Sequence, residues 1–379
     1  VEDLQAYEIL EKREIKDIDS MTYLCRHKKT GARVVLFSND DDNKVFYIGF
    51  RTTPKDSTGV AHITEHSVLC GSKNFPVKDP FVELAKGSLN TFLNAMTYPD
   101  KTVYPVASCN DKDFQNLMNV YLDAVFYPNT YQNEAIFRQE GWHYELNDQD
   151  ELIYNGVVYN EMKGALSNPD SILWREVSTA LYPHTTYGVE SGGDPENIPD
   201  LTYEQFLDFH RTYYHPSNSY IYLYGNMDMA EKLDYIDREY LSKYDYLEVD
   251  STITEEPCFE KPNRLVKEIP LGEGESAEEN TYLAQCFSAG DCLDRELVIA
   301  MKVLDFALCT VPGAPLKQAL IDKGIGKDVF SVYDNGCKQP YFGVVAKGTS
   351  ADKEEEFKAV IREVLEGIVK NGFDQKALL

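Results

Sequence analysis

Apolar and polar residues alternate in several short stretches of the chain, and each such stretch predicts a half-buried strand. In the first part of the sequence the predicted strands are Tyr23–Lys28, Ala32–Ser38, Val45–Thr52, Thr91–Thr97, Thr102–Ala107 and Ser219–Tyr224. Apolar residues at helical spacing predict helices at Ala61–Leu69, Asp111–Phe126, Asn133–Gln139, Val157–Leu181 (with a break near Asn168), Thr202–Tyr214 and Asp228–Leu241. Strands, then helices, then a returning strand indicate an α+β domain with one antiparallel sheet.

An acidic, proline-containing stretch at Lys243–Asn263 interrupts this pattern, which then starts again. The second part predicts strands at Thr281–Ser288 and Tyr341–Lys347 and helices at Arg295–Leu308, Ala314–Asp322 and Glu354–Val369. The repeated order predicts two related modules, each a mostly antiparallel sheet packed with helices: a catalytic domain at 1–243, a linker at 244–263 and a second, catalytically silent domain at 264–379. Because Asn371–Leu379 resembles the start of another helix, we expect the second module to be truncated.

The sequence His62-Ile63-Thr64-Glu65-His66 is the strongest candidate for chemistry. Residues four apart lie on one face of a helix, so both imidazoles can bind one tetrahedral zinc ion. The order H-x-x-E-H marks the inverted zinc peptidases, and it makes Glu65 the candidate general base that deprotonates a zinc-activated water. The predicted helix at the same place in the second module contains Glu296–Met301 and carries no such pair of ligands.

A catalytic zinc site needs a third protein ligand, which leaves the fourth position for water. The candidate carboxylates downstream of the motif are Glu83, Glu134, Glu140, Glu145 and Glu161. Glu161 is favoured because its helical neighbours are mostly apolar, and an acid in such surroundings needs a partner such as a metal ion. Glu140 and Glu145 remain alternatives, either as the ligand or as the hydrogen-bond partner of a ligating histidine.

Composition limits the partners of the chain. Its 379 residues include 63 Asp and Glu against 37 Lys and Arg, a net charge of −26, which argues against nucleic acid and favours basic peptides. Eight cysteines without a C-x-x-C pair predict reduced thiols in the cytoplasm or, if a transit peptide was removed, in an organellar matrix. No apolar run approaches the ~20 residues of a membrane span, so no membrane partner is expected.

At these residues the chain resembles the pitrilysin–insulinase family of zinc peptidases, and within it the presequence protease branch that includes falcilysin. Six stretches carry the resemblance, and together they cover the first predicted domain almost from end to end: Gly59–Ser72, Ser88–Thr97, Gln139–Glu145, Gly156–Gly164, Ser191–Thr202 and Phe209–Asn218. The sequence Asn160-Glu161-Met162-Lys163-Gly164 is similar to the presequence protease branch in particular, which resolves the choice of third ligand in favour of Glu161.

The resemblance implies one zinc ion bound by His62, His66 and Glu161. It implies Glu65 as the general base and a substrate strand lined by Leu93, Asn94 and Ala95. It further implies an endopeptidase that hydrolyses short unstructured peptides inside a closed chamber, which the C-terminal half of the same protein completes. The alternative is a non-catalytic peptide-binding or assembly subunit, or a fragment that is inactive without that second half.

Overall fold

The computed structural model describes residues 1–373, which form two compact units. The first unit contains Val1–Leu166 and Val189–Thr252, and the second contains Ser167–Gly188 and the described residues from Ile253 onward. The predicted domain limits, 1–243 and 264–379 with a linker between them, stay a prediction. The predicted helix start within Asn371–Leu379 falls largely outside the described residues.

The first unit is built on an eight-stranded sheet. Its strands are β1 (Tyr7–Ile15), β2 (Ser20–His27), β3 (Arg33–Ser38), β4 (Lys44–Arg51), β5 (Asn90–Leu93), β6 (Met96–Tyr98), β7 (Lys101–Ser108) and β10 (Ser219–Gly225), while β8 (His143–Leu146) and β9 (Leu152–Asn155) form a separate hairpin. The order across the sheet is β1-β2-β3-β10-β4-β7-β5, and β6 also pairs with β7. Only β3 and β10 run parallel, so the sheet is mostly antiparallel, as predicted.

Helices pack on one face of this sheet because alternate strand residues point into a common core. On β4, Phe46, Ile48 and Phe50 are buried in that core, while Val45 and Tyr47 line a hollow on the opposite face. The helices are α1 (Val60–Val68), α2 (Pro80–Gly87), α3 (Asp111–Phe126), α4 (Glu134–Glu140), α5 (Val157–Ala165), α7 (Tyr203–Tyr213) and α8 (Met229–Glu239), whereas α6 (Pro169–Leu181) belongs to the second unit. The expected α+β architecture is therefore present.

The strand pattern of the first unit differs from the prediction in one place near the motif helix. The predicted strand Thr91–Thr97 is two short strands, β5 and β6, separated at Asn94 and Ala95. At this break the Ala95 amide donates to Asn94 Oδ1 (3.0 Å) and Tyr121 Oη donates to the Asn94 carbonyl (3.1 Å), while the Asn94 amide still donates to the Pro105 carbonyl of β7 (3.2 Å). The prediction also missed α2, β1 and the β8–β9 hairpin, and the three strands among these have mostly exposed residues.

The second unit contains a three-stranded antiparallel sheet packed with helices. Its strands are β11 (Thr281–Ser288), β12 (Asp328–Asp334) and β13 (Tyr341–Thr349), in the order β11-β13-β12. Besides α6, its helices are α9 (Arg295–Asp305), α10 (Pro315–Asp322) and α11 (Glu354–Asn371). The prediction placed β11, β13 and all three of these helices and missed β12. A core around Leu316, Val344 and Phe357 holds the sheet to its helices.

One segment of the second unit, Arg295–Asp322, is long and apolar enough to cross a membrane by length and composition alone. This differs from the expectation that no apolar run approaches the length of a membrane span. The segment is interrupted between a π-helical turn at Phe306–Thr310 and Pro315, and Leu308, Leu316 and Leu320 within it belong to the buried core. Because core helices pass the same test, the segment is a weak indication of a membrane span.

A buried histidine links three elements of the first unit. The Nε2 of His210 on α7 donates to the Val125 carbonyl of α3 (2.9 Å), and the Tyr131 hydroxyl lies 2.7 Å from its Nδ1. Burial, with a contribution from the nearby positive charge of Arg211, outweighs the hydrogen bond to Val125 and lowers the pKa of His210 to about 4. The imidazole is therefore neutral in the folded protein over most of the acidic range.

This neutral imidazole makes the first unit lose stability as the pH falls from about 6.5, where the unfolded histidine takes a proton, to about 4, where the folded one does. The loss amounts to about 3 kcal/mol at 1.36 kcal/mol per pKa unit. We expect His210→Gln to remove this part of the acid sensitivity. A Trp174→Phe background leaves Trp142, in the first unit, as the one tryptophan of the chain. Its fluorescence can follow urea unfolding at pH 7 and pH 4.5. An equal loss of stability in wild type and variant would contradict the assignment.

Candidate metal centre

The motif helix α1 is buried on nearly all sides, and its entry depends on a close approach of two glycines. Gly59 precedes the helix with φ of 71°, a left-handed conformation that glycine adopts without strain. A Cβ added at Gly59 would lie 2.8 Å from Gly193 Cα and 2.9 Å from the Gly192 carbonyl oxygen. The absence of side chains here therefore lets the loop around Gly192 lie directly against the start of the motif helix.

Both motif histidines make a hydrogen bond through Nδ1, which leaves Nε2 facing the cleft. His62 Nδ1 lies 3.0 Å from the Gly192 carbonyl oxygen, and His66 Nδ1 lies 3.3 Å from Glu140 Oε2. Because each acceptor requires a proton on Nδ1, the neutral form of each ring has a free lone pair on Nε2. This is the tautomer that a metal-ligating histidine needs.

The β8–β9 hairpin brings two further carboxylates to the same place. Its base is closed by Gly141 and Gly156, which approach so closely that a Cβ on Gly156 would lie 2.1 Å from the Gly141 carbonyl oxygen. Consequently the last residue of α4, Glu140, and a residue in the middle of α5, Glu161, both reach the motif helix. Glu161 Oε1 lies 3.8 Å from His62 Nε2, and Glu161 Oε2 lies 3.6 Å from His66 Nε2.

Glu140 is the more buried of these two carboxylates, with a relative exposure of 7%. Burial on its own would raise the pKa of Glu140, but hydrogen bonds from His66 and Gln139 outweigh it and lower that pKa. Burial likewise would lower the pKa of His66, whereas the Glu140 hydrogen bond and the charges of Glu65, Glu140 and Glu161 raise it. Glu140 therefore occupies the position of a histidine partner, which the sequence analysis had left open between Glu140 and Glu145.

The other predicted residues are divided among the cleft, the core and the surface. Glu65 is 7% exposed, lines the cleft and accepts a hydrogen bond from Thr97 Oγ1 at 2.8 Å. Asn94 and Ala95 line the cleft as well, whereas Leu93 packs against the core. The remaining candidate carboxylates lie on exposed positions outside the cleft lining: Glu83, Glu134 and Glu145.

The cleft beside the motif helix has a volume of about 600 Å³ and is lined in part by carboxylates. Its four carboxylates are Asp79, Glu65, Glu140 and Glu161, and its apolar walls include Leu69, Phe81, Val82 and Met96. A slightly larger hollow of about 680 Å³ lies on the open face of the sheet, but the groups with metal-ligand chemistry line the smaller cleft. Sequence reasoning missed Gly192 and Thr97, since a backbone acceptor and a single hydroxyl have no sequence signature.

The geometry of the cluster fits a tetrahedral ion. One ligand atom from each of His62, His66 and Glu161 can be chosen so that all lie within 4.8 Å of one another. Ligand bonds of about 2.1 Å at a tetrahedral centre separate ligand atoms by about 3.4 Å, close to the contacts of 3.6 and 3.8 Å. Two imidazoles and one carboxylate form a donor set suited to a catalytic divalent metal. The fold and this cluster define an α+β protein with a candidate metal centre of the metallohydrolase kind.

Comparison with protein families identifies the class more closely. Residues 45–173 match the family described as insulinase (peptidase family M16), and residues 200–379 match the description "peptidase M16 inactive domain". The chain therefore belongs to peptidase family M16, the insulinase family, which confirms the resemblance found in the sequence. The family consists of metallopeptidases, and membership implies a metal cofactor.

Two curated relatives are similar to the chain along nearly its whole length and are themselves much longer. Protein HypA of Clostridium perfringens is 53% identical over 373 residues, which are 98% of this chain and 38% of the relative. Presequence protease 1, chloroplastic/mitochondrial, of Arabidopsis thaliana is 47% identical over 377 residues, 98% of this chain and 35% of the relative. The chain thus spans a little over a third of the length of these curated relatives.

A solved structure supports the fold. The crystal structure of pitrilysin aligns with a TM-score of 0.68 over 99% of this chain and 39% of the other chain, at 17% sequence identity. At this identity the likeness concerns the fold alone. It agrees with the α+β architecture described above.

The hydrogen bond from His66 to Glu140 predicts a measurable effect on metal affinity. We expect Glu140→Gln to weaken Zn²⁺ binding about 10- to 100-fold, because an uncharged acceptor polarises the imidazole less and fixes its tautomer less firmly. Glu134→Gln on the same helix is the matched control, since Glu134 is exposed and pairs with Arg138. Competition with a chromophoric chelator measures both affinities, and equal affinities for the two variants would contradict a role for Glu140.

Proposed function

We propose that the chain carries the catalytic centre of a zinc-dependent endopeptidase that hydrolyses short unstructured peptides. The observation that carries the proposal is the arrangement of the two Nε2 atoms and the Glu161 carboxylate around one point, with Glu65 in the same cleft. Names of the relatives support the reaction class, because several of them are called presequence proteases.

In this proposal His62, His66 and Glu161 hold the zinc ion, and Glu65 moves the proton. When bound, zinc supplies Lewis acidity, which makes water easier to deprotonate and polarises the scissile carbonyl. The carboxylate of Glu65 accepts the proton of the attacking water and then delivers it to the amine of the departing peptide. Glu140 keeps the Nδ1 proton on His66, and the Gly192 carbonyl does the same for His62.

The substrate is proposed to lie as an extended strand along Leu93, Asn94 and Ala95. β5 stands at the end of the sheet order, where its outer edge is not paired with another strand of that sheet. Thr91 and Phe92 on β5 are exposed, and Asn94 and Ala95 continue into the cleft wall. An edge strand of this kind can accept a peptide through main-chain hydrogen bonds, which suits substrates without fixed structure.

The proposed partner of this chain is the C-terminal half that its longer relatives contain. That half would complete a chamber around the cleft, and the second unit would be a catalytically silent structural module. The relatives named chloroplastic/mitochondrial support an organellar matrix as a compartment besides the cytoplasm. The match of residues 200–379 to an inactive M16 domain favours a second candidate function, a non-catalytic peptide-binding or assembly subunit.

Replacement of Glu65, the proposed base, distinguishes the endopeptidase from the non-catalytic subunit. We expect Glu65→Gln to keep one bound zinc per chain and to lower the hydrolysis of a fluorogenic peptide at least about 100-fold, because the amide cannot accept the proton of water. Atomic absorption gives the zinc content, and a chelator should abolish wild-type turnover. Glu134→Gln is the control for the loss of one negative charge.

Two results would count against the endopeptidase. The first is turnover by Glu65→Gln at the wild-type rate, which would remove Glu65 as the base. The second is a wild-type chain that binds zinc and peptide without hydrolysis, also in the presence of the C-terminal half. That result would favour the non-catalytic subunit.

The carboxylates that line the cleft predict a preference for basic peptides. Four carboxylates line the cleft, and the net charge of the chain is −26, so cationic peptides should be attracted before they reach the site. We expect kcat/KM to rise with positive charge across a set of peptides of equal length and to fall with added salt. Peptides of reversed charge are the control. Equal rates for both series at low salt would contradict the prediction.

A further inference from the structure

A hydrogen bond joins the motif helix to the strand that follows the break in the sheet edge. Thr97 Oγ1 on β6 donates to Glu65 Oε2 on α1 at 2.8 Å. Within residues 1–373, Thr97 is the one side chain for which a hydrogen bond to Glu65 is found. Because Glu65 is 7% exposed, little water can reach its carboxylate, and a donor from the protein satisfies one of its oxygens.

The strand that carries Thr97 is itself fixed on two sides. Thr97 pairs with Thr102 of β7, and the preceding Met96 pairs with Val103. Just before β6, the buried Tyr121 donates its hydroxyl to the Asn94 carbonyl at 3.1 Å. The Thr97 hydroxyl therefore approaches Glu65 from a part of the backbone that is anchored to the core.

The other hydroxyl groups near this place are engaged elsewhere. The Tyr104 and Tyr214 hydroxyls form a hydrogen bond with each other at 2.8 Å, and the Tyr121 hydroxyl donates to the Asn94 carbonyl. A valine at position 97 would keep the shape of the side chain but remove the only donor that the described residues offer to the carboxylate. One buried carboxylate oxygen would then lose its hydrogen-bond partner.

We propose that Thr97 is a positioning residue that holds the Glu65 carboxylate in the orientation needed for proton transfer. The inference rests on the proposed function of Glu65 as the general base. With Oε2 held by Thr97, Oε1 is the oxygen left to accept the proton of water. Because β6 continues directly from Asn94 and Ala95, the same backbone that is proposed to line the substrate strand also fixes the base.

This arrangement predicts a loss of rate without a loss of binding. Thr97→Val should lower kcat about 10- to 100-fold, because small displacements of a catalytic group cost rates of this order. KM and the zinc affinity should remain at the wild-type values, since Thr97 is not a proposed ligand. Thr97→Ser keeps the hydroxyl and should recover most of kcat, which a purely structural role of the threonine methyl group would not allow.

A matched control removes a threonine hydroxyl bond away from the cleft. Thr212 on the exposed surface of α7 donates Oγ1 to the Asp208 carbonyl at 2.7 Å, so Thr212→Val loses the same kind of bond. We expect Thr212→Val to keep the wild-type kcat. Its thermal stability, beside that of Thr97→Val, shows whether the loss of rate follows from the site or from weakened folding.

Crystal structures of the metal-free wild-type chain and of Thr97→Val provide a test that does not depend on turnover. The expected result is a changed orientation of the Glu65 carboxylate in Thr97→Val with the histidines in place. An unchanged carboxylate, a wild-type kcat, or a parallel loss of zinc affinity and rate would overturn the inference. If the wild-type chain does not hydrolyse peptides even in the presence of the C-terminal half, the proposed function fails, and the two crystal structures still decide the role of Thr97.

Discussion

The candidate centre depends on two hydrogen bonds that fix which nitrogen of each motif histidine faces the cleft. An imidazole offers one lone pair in its neutral form, so an acceptor at Nδ1 decides that the lone pair is on Nε2. Gly192 provides that acceptor for His62, and Glu140 provides it for His66. The loop that contains Gly192 and the end of α4 are therefore parts of the centre as much as the motif helix is. Without them, two histidines at helical spacing would have no common direction.

These bonds also explain why the surrounding fold is so constrained. The Gly192 carbonyl reaches His62 only because Gly59 and Gly193 have no side chains at their contact. Glu140 reaches His66 because it is the last residue of α4, and Gly141 follows it at the base of the hairpin. Each histidine is thus oriented by an element distant in sequence. Tertiary packing, and not the motif alone, produces the arrangement.

The part of the centre that the sequence predicted is the part that local geometry determines. His62, Glu65 and His66 share one short helix, so their spacing alone indicates a common face. Glu161 was selected among five carboxylates by its apolar helical neighbours and by the resemblance to a family, and the structure brings its carboxylate to the two Nε2 atoms. Thr97 and Gly192 could not be predicted, because their roles arise from contacts between distant segments.

The fold was predictable to a similar degree and for the same reason. Strands in the middle of the sheet, such as β4 and β10, mostly alternate between buried and half-buried residues and were recognised from their apolar pattern. β1 lies at the edge with mostly exposed residues, and the sequence gives it no apolar face. At the break that the prediction missed within Thr91–Thr97, the Asn94 carbonyl accepts a hydrogen bond from Tyr121 on a helix, and such a contact between distant segments has no sequence signature.

The β8–β9 hairpin has a consequence for how such centres diversify. Its two strands pair from His143 with Asn155 outward to Leu146 with Leu152, while its base is closed by Gly141 and Gly156. The distance through space between Glu140 and Glu161 is set at that base, so residues inserted or deleted at the tip leave it unchanged. A longer or shorter hairpin would therefore change the interval along the chain from the motif to Glu161 without a change at the centre. Searches that score a fixed interval will overlook centres whose geometry is identical.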